Sequence, residues 1–161
     1  MNNKLRRGSE KAWRFGAAFL FTLLIWQLIG YMTATEYLQL YDQMEGKVIW
    51  EEPIQAGETF YHEYIHSVSL SPVREYYKMN AERNMVAIES WVQSFGAGLP
   101  YERKDKLLYI DGFYVIEEER EVEALTIMPS SLFPHSFYLK EHTVDLTAYE
   151  GHKLRIRIVR Q

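Results

Sequence analysis

Along most of the chain, short segments alternate apolar with polar residues and end at Gly, Pro, Asp or Asn. The clearest is "LRIRIV" at 154–159, where Leu and Ile take every second position with Arg between them. Because successive side chains of a strand point to opposite faces, this period of two predicts a half-buried strand. Comparable segments are "EYLQLYD", "KVIW", "REYYKMNA", "MVAIESWVQSF", "KLLYI", "FYVI", "ALTIM" and "FYL". They predict a mainly β fold, either an antiparallel β-sandwich or a small barrel.

The N-terminal part of the chain breaks this pattern. From Phe15 to Met32 the sequence is "FGAAFLFTLLIWQLIGYM", 18 residues without a charge. This length is at the lower end of what a helix needs to cross a hydrocarbon core of about 30 Å, and it predicts one N-terminal transmembrane helix. A cleaved signal peptide is the alternative, but its apolar region normally spans only about 7 to 15 residues. The following "YMTATEY" offers only Ala34 as a small residue, which favours a retained anchor.

The charges around this segment predict its orientation. Five bases and one acid precede it, whereas three acids follow it before the next base, Lys47. By the positive-inside bias, residues 1–14 form a cytoplasmic tail, Phe15–Met32 crosses the cell membrane once, and the C-terminal domain lies outside. Residues 33–45 are predicted to form a spacer or first strand, and residues 46–161 the extracytoplasmic β domain.

Composition limits the fold and the partners of this outer part. The chain has 12 Tyr, 8 Phe and 4 Trp, an enrichment that favours sheets over helical bundles. It has no Cys, so structural disulfides are excluded. Without the five bases and one acid of residues 1–14, the remainder holds 13 bases and 21 acids, a formal charge of −8. This acidic balance argues against a nucleic-acid partner.

One short motif raises the hypothesis of a metal site. "HEYIH", His62 to His66, matches the H-E-x-x-H pattern of zinc peptidases, in which two histidines one helical turn apart bind zinc beside a glutamate. As a helix the segment would be amphipathic, with Glu63 beside both histidines. As a strand it would place the two histidines about 13 Å apart, too far for one zinc ion. Gly57 and Pro72 bracket the segment, and its Tyr, Phe and Ile residues favour the strand.

A wider pattern surrounds this motif. "YIHSVSLSPVREYYKM" at 64–79 is followed, after a strand, by "SFGAGLP" at 94–100. Over residues 46–160 the chain resembles the uncharacterised bacterial family "domain of unknown function 1850", whose pattern contains His-Ser-Val, a nearby Pro and Glu, and a Gly-Ala-Gly-Leu-Pro turn. His62 and Glu63 are outside this pattern, which weakens the zinc hypothesis. The matching residues are His66, Ser67, Val68, Pro72, Val73, Glu75, Gly96, Ala97, Gly98, Leu99 and Pro100.

The resemblance implies a role beside a transporter. Members of the family are commonly encoded next to membrane permeases of the tripartite (TRAP) class that work with TAXI-type solute receptors. The resemblance therefore implies a membrane-anchored accessory (interaction) protein of a TRAP/TAXI-type solute transport system, with a permease or solute-binding receptor as its partner. It implies no established activity and no cofactor, and it favours a binding role over an enzyme.

The matched residues also define a candidate ligand site. If His66 and Ser67 end one strand and Glu75 returns on the next, a hydrogen bond between His66 and Glu75 forms a proton-sensitive pair beside the serine hydroxyl. Backbone N–H donors for a carboxylate would come from Gly96, Ala97 and Gly98. On this hypothesis the domain is a carrier or sensor of small carboxylates.

Other interpretations of these residues stay open. In a purely structural one, His66 and Glu75 are a satisfied pair and the glycines serve a turn. A hydrolase built from Ser67, His66 and Glu75 is disfavoured, because adjacent strand residues point to opposite faces. The zinc-dependent hydrolase, with His62 and His66 as ligands, is the third functional hypothesis. The remaining histidines look like loop or strand-edge residues: His135, His142 and His152.

Overall fold

The computed structural model describes residues 19–27, 35–94 and 107–161. The chain divides into two compact units, Met1–Thr35 and Glu36–Gln161. The site discussed below lies entirely in the second unit.

The first unit contains the described part of the predicted transmembrane helix. Residues 19–27 are helical, and the rest of Phe15–Met32 lies outside the described residues. The large apolar side chains of this helix are exposed, among them Phe19 at 65% and Trp26 at 77%. Across the described residues, no helix combines the length and the apolar character that crossing a membrane requires. The transmembrane helix therefore stays a prediction.

The second unit is built of short strands. Within its described residues these are β1 (Glu36–Asp42), β2 (Lys47–Pro53), β3 (Thr59–Ile65), β4 (Pro72–Met79), β5 (Met85–Val92), β6 (Leu107–Ile110), β7 (Phe113–Val122), β8 (Leu125–Ile127), β9 (His135–Leu139), β10 (His142–Asp145) and β11 (Leu154–Arg160). A 3-10 helix, Leu146–Tyr149, lies between β10 and β11.

These strands pair into two antiparallel sheets. The smaller has the order β2-β1-β11-β8 and the larger the order β10-β9-β3-β4-β5-β7-β6. Over the ranges that the structure describes, neither sheet closes into a barrel, so the fold is sandwich-like. The predicted mainly β, antiparallel fold is confirmed. The alternation in "LRIRIV" corresponds to β11, where Leu154 and Ile156 are fully buried.

The two sheets share a hydrophobic core. Leu38, Leu40 and Ile156 enter it from the smaller sheet, and Phe60 and Phe137 from the larger, each at most 1% exposed. Burying a side chain of this size stabilises a fold by about 1.5 to 3 kcal/mol. Phe60 and Phe137 place one face of β3 and β9 against the core. Residues two positions away on either strand therefore also lie on this inner face.

Candidate functional site

Three neighbouring strands bring polar side chains together on the inner face of the larger sheet. β3 lies between β9 and β4, and His62 on β3 is directly opposite Glu75 on β4. Two residues further along β3, Tyr64 is opposite His135 on β9. The strand register therefore places four polar groups at one end of a face that is otherwise apolar core.

These side chains form one hydrogen-bonded network around His62, which is 6% exposed. The Nε2 atom of His62 lies 2.9 Å from Oε2 of Glu75, and its Nδ1 lies 3.1 Å from Nε2 of His135. The hydroxyl of Tyr77 donates to the same Oε2 at 2.9 Å, and that of Tyr64 donates to Oε1 at 3.3 Å. Both ring nitrogens of His62 are engaged, and its Nε2 and two hydroxyls converge on one carboxylate.

Glu75 is held in its ionised form. Burial alone would raise its pKa, but the hydrogen bond and charge of His62 and the hydroxyls of Tyr77 and Tyr64 outweigh burial and lower the pKa to about 2. An ionised carboxylate only accepts hydrogen bonds, so Nε2 of His62 carries its hydrogen. The carboxylate thereby selects the tautomer of His62 when that ring is neutral.

The groups around this pair keep defined protonation states. Burial, followed by the negative charge of Glu75, raises the pKa of Tyr64 and of Tyr77, so both phenols remain donors. Burial, followed by the charge of His62, lowers the pKa of His135 to about 4, although Glu75 opposes the shift. Near neutral pH, His135 is therefore neutral.

A cavity of about 430 Å³ adjoins the network. Its polar lining consists of His62, Tyr64, His66, Ser67, Thr126, Ser130 and His135, and its apolar lining of Ile65, Ile127, Met128, Phe133 and Pro134. Among the described residues, no Lys, Arg, Asp or Glu lines it. Because Nε2 of His135 contacts His62, its Nδ1 is the ring nitrogen left for a ligand.

The turn between β3 and β4, residues 66–71, forms one side of this cavity. The backbone N–H of His66 donates to the carbonyl of Ser71 at 3.0 Å. The Nδ1 atom of His66 accepts the backbone N–H of Val68 at 3.2 Å and of Ser69 at 3.4 Å. A ring nitrogen that accepts is unprotonated, so neutral His66 carries its hydrogen on Nε2 and offers an N–H donor.

The predicted ligand site is assembled only in part. His66 and Ser67 line the cavity. The predicted hydrogen bond between His66 and Glu75 is wrong, because the six-residue turn removes His66 from β3 and the register places His62 opposite Glu75. The other predicted ligand-binding residues lie outside the described residues: Gly96, Ala97 and Gly98.

"HEYIH" does not form a zinc-binding helix. Its first four residues, His62 to Ile65, belong to β3, and His66 begins the turn. The helical geometry that the zinc hypothesis needs is therefore absent, since the two imidazoles share no helical face. In the described part of the chain, the group whose ligand atoms lie within 4.8 Å of one another is instead Asp42, Glu45 and His152.

That second group has a structural explanation. Asp42 is fully buried, and its Oδ1 accepts the backbone N–H of Met44 at 2.8 Å and of Glu45 at 3.2 Å. Its Oδ2 lies 2.6 Å from Nδ1 of His152. The carboxylate closes the turn between β1 and β2 and ties it to the residues before β11, so both oxygens are satisfied without a cation.

Sequence reasoning missed three members of the network: Tyr64, Tyr77 and His135. A signal for His135 was present, because it stands two residues before Phe137 in "HSFYL" and strand alternation places both on one face. The alternation does not tell which strands are neighbours. Only the order β9-β3-β4 brings the two histidines and the glutamate together.

The domain that carries this site matches a known family. The family model described as Domain of unknown function (DUF1850) matches residues 60–146, a range that includes β3 from Phe60 onward, β4, β9 and the whole network. No curated protein and no solved structure is significantly similar to the chain. The predicted resemblance is confirmed, and the chain belongs to the DUF1850 family.

Proposed function

We propose that this protein is a membrane-anchored extracytoplasmic accessory protein of a TRAP/TAXI-type solute transport system, and that its β domain binds a small carboxylate. The observation that carries the ligand-binding part is the cavity beside His62, Glu75 and His135. Small-ligand sites are typically concave and largely apolar, with a few fixed polar groups that orient the ligand. This cavity combines five apolar side chains with seven polar ones, and hydrogen bonds hold several of the polar ones in place.

The polar side of the cavity suits a carboxylate because its donors are held in place. Glu75 orients His62, and His62 in turn contacts His135. His66 is fixed from the other side by two backbone N–H groups of its turn. Donors that are already ordered lose little entropy when a ligand binds. Further hydroxyl donors in the lining are Ser67, Thr126 and Ser130.

The apolar side of the cavity limits the size and polarity of the rest of the ligand. Ile127, Met128 and Phe133 belong to its apolar lining. A polar or second charged group placed there would lose its hydration without a partner. The proposed ligand is therefore a small organic acid with an apolar substituent.

Carboxylate binding should stabilise the full-length protein in mild detergent. Ligand at about 100 times its dissociation constant adds about 2.7 kcal/mol, which corresponds to a rise in melting temperature of roughly 5 to 10 °C for a domain of this size. The control is the primary amide of each acid, which has the same shape without the charge. A panel of short-chain acids in which none shifts the melting temperature beyond its amide would contradict ligand binding.

The membrane and transport parts of the proposal have separate support. For the transport role, the support is the family resemblance, which implies that members are encoded beside permeases that work with solute receptors. The basic residues of 1–14 and the uncharged run of Phe15–Met32 favour an anchor with its N-terminus in the cytoplasm. The helix at 19–27 exposes large apolar side chains, which suits a lipid environment.

Affinity purification of the tagged full-length chain from native membranes should recover a permease or a solute receptor. The chain should also resist extraction by alkaline carbonate and dissolve only in detergent. A matched control carries Leu23→Lys and Leu24→Lys, two charges that are costly in the bilayer and should release the chain from the membrane. Recovery of neither kind of protein above an untagged control would contradict the accessory role.

A further inference from the structure

The hydrogen bond between His62 and His135 restricts how many protons the pair can hold. Two ring nitrogens 3.1 Å apart need one hydrogen between them, since two lone pairs or two N–H groups would repel. On the other side of His62, the ionised Glu75 requires an N–H on Nε2. Three of the four ring nitrogens are therefore constrained by a hydrogen-bond partner: both of His62 and Nε2 of His135.

With both rings neutral, these constraints leave one arrangement. His62 holds its hydrogen on Nε2, so its Nδ1 accepts, and Nε2 of His135 must donate to it. Nδ1 of His135 is then a bare acceptor, which repels a carboxylate in the cavity. One added proton gives His62 two N–H groups, returns Nε2 of His135 to acceptor, and makes its Nδ1 a donor.

The rest of the described lining offers no other positive charge for an anion. No Lys or Arg is among the described residues that line the cavity. The hydroxyls of Tyr64 and Tyr77 face Glu75 and stay protonated, and His66 uses Nδ1 to accept backbone N–H groups, which a second proton on that ring would break. Thr126, on β8, and Met128 and Ser130, in the segment that follows it, carry no charge.

We infer that the cavity takes up its organic acid as a carboxylate together with one proton, which the His62–His135 pair receives. The inference rests on the proposed binding of a carboxylate. In the complex, Nδ1–H of His135 donates to the ligand, the shared hydrogen lies between the two rings, and Nε2–H of His62 donates to Glu75. The added positive charge then lies between two negative ones.

Titration calorimetry on the full-length protein tests this inference. At about pH 8, well above the ordinary imidazole pKa of about 6.5, the binding heat is measured in buffers with different ionisation enthalpies. The expected slope is one proton taken up per carboxylate, with affinity falling about tenfold per pH unit. The matching amide, if it binds, should take up none.

Two variants locate the proton. The double variant His62→Gln, His135→Gln keeps an amide at both ring positions, but neither amide can be protonated, and it should lower the uptake well below one. His142→Gln removes a histidine on β10 that lies 3.5 Å from Glu52 and outside the cavity lining, and should leave the uptake at one.

The possible outcomes distinguish a failure of this inference from a failure of the proposed function. A carboxylate that binds with no proton uptake overturns the inference and leaves the proposed ligand class intact. An uptake that stays at one in the double variant also overturns it, because the proton then lies elsewhere. Absence of carboxylate binding under all conditions overturns both.

Discussion

Replacing Glu75 with Gln should lower the free energy of unfolding by roughly 1.5 to 3 kcal/mol, the range of hydrogen bonds made to a charged group. The carboxylate accepts from His62, Tyr64 and Tyr77. A glutamine has one acceptor oxygen, and its amide N–H groups would face donors. The loss is measured by urea unfolding of the full-length protein in detergent, followed by tryptophan fluorescence.

Glu63→Gln is the matched control. Glu63 lies on the outer face of the same strand pair, forms an ion pair with Arg74, and its side chain is 31% exposed against 33% for Glu75. A partly exposed ion pair contributes about 0 to 1 kcal/mol, so this variant should unfold at nearly the wild-type urea concentration. Equal losses of unfolding free energy in Glu75→Gln and Glu63→Gln would mean that the inner network stabilises the fold no more than the outer ion pair does.

Glu75→Gln should also change how the free energy of unfolding depends on pH. The pKa of Glu75 falls from an ordinary 4.5 to about 2 in the folded protein, so its contribution is present above pH 4.5 and disappears as the pH falls toward 2. The pKa of His135 is lowered from 6.5 to about 4 in the folded protein. As the pH falls from 6.5 to 4, only the unfolded chain takes up that proton, so the free energy of unfolding decreases. Glu75→Gln should remove the lower window and keep the upper one.

Replacing His135 with Ala should weaken carboxylate binding at least about tenfold while the domain stays folded. The substitution removes the proposed ligand donor and leaves Nδ1 of His62 open to water, and one lost hydrogen bond to a charged ligand is worth about 1.5 to 3 kcal/mol. Titration calorimetry measures the affinity, and the urea midpoint shows whether the fold is kept.

His142→Ala serves as the control for this substitution. His142 is on β10, its side chain is 42% exposed, and it does not line the cavity. We expect its affinity for the acid to equal that of the wild type. If His135→Ala also binds the acid as tightly as the wild type, His135 is not part of the ligand site.

The fold could be predicted from the sequence where one face of a strand is buried and the other wet. β1 and β11 show this in "EYLQLYD" and "LRIRIV", which pair along their whole length. β3 was ambiguous, because "TFYHEYI" has helical as well as strand periodicity and tertiary pairing on both sides decides for the strand. Strand order follows from long-range pairing, which local patterns do not report.

The sequence predicts the correct carboxylate of the candidate site, Glu75, but pairs it with His66 instead of His62. Glu75 belongs to the network, but its partner depends on the length of the turn at 66–71. A shorter turn would have moved the register and brought His66 closer to it. His135 was missed because it lies 73 residues from His62 in the chain.

A small carboxylate that binds beside His62 and His135 should change the signals of their ring nitrogens, and imidazole nitrogen NMR measures this change. The chain has five histidines, of which His62, His66 and His135 line the cavity, while His142 and His152 do not. The full-length protein, labelled with ¹⁵N-histidine in lipid nanodiscs, is titrated with the best acid of the panel. We expect shifts in the three cavity rings, with His135 changing most, and constant signals from the other two. Saturable binding that leaves the three cavity rings unchanged would contradict it.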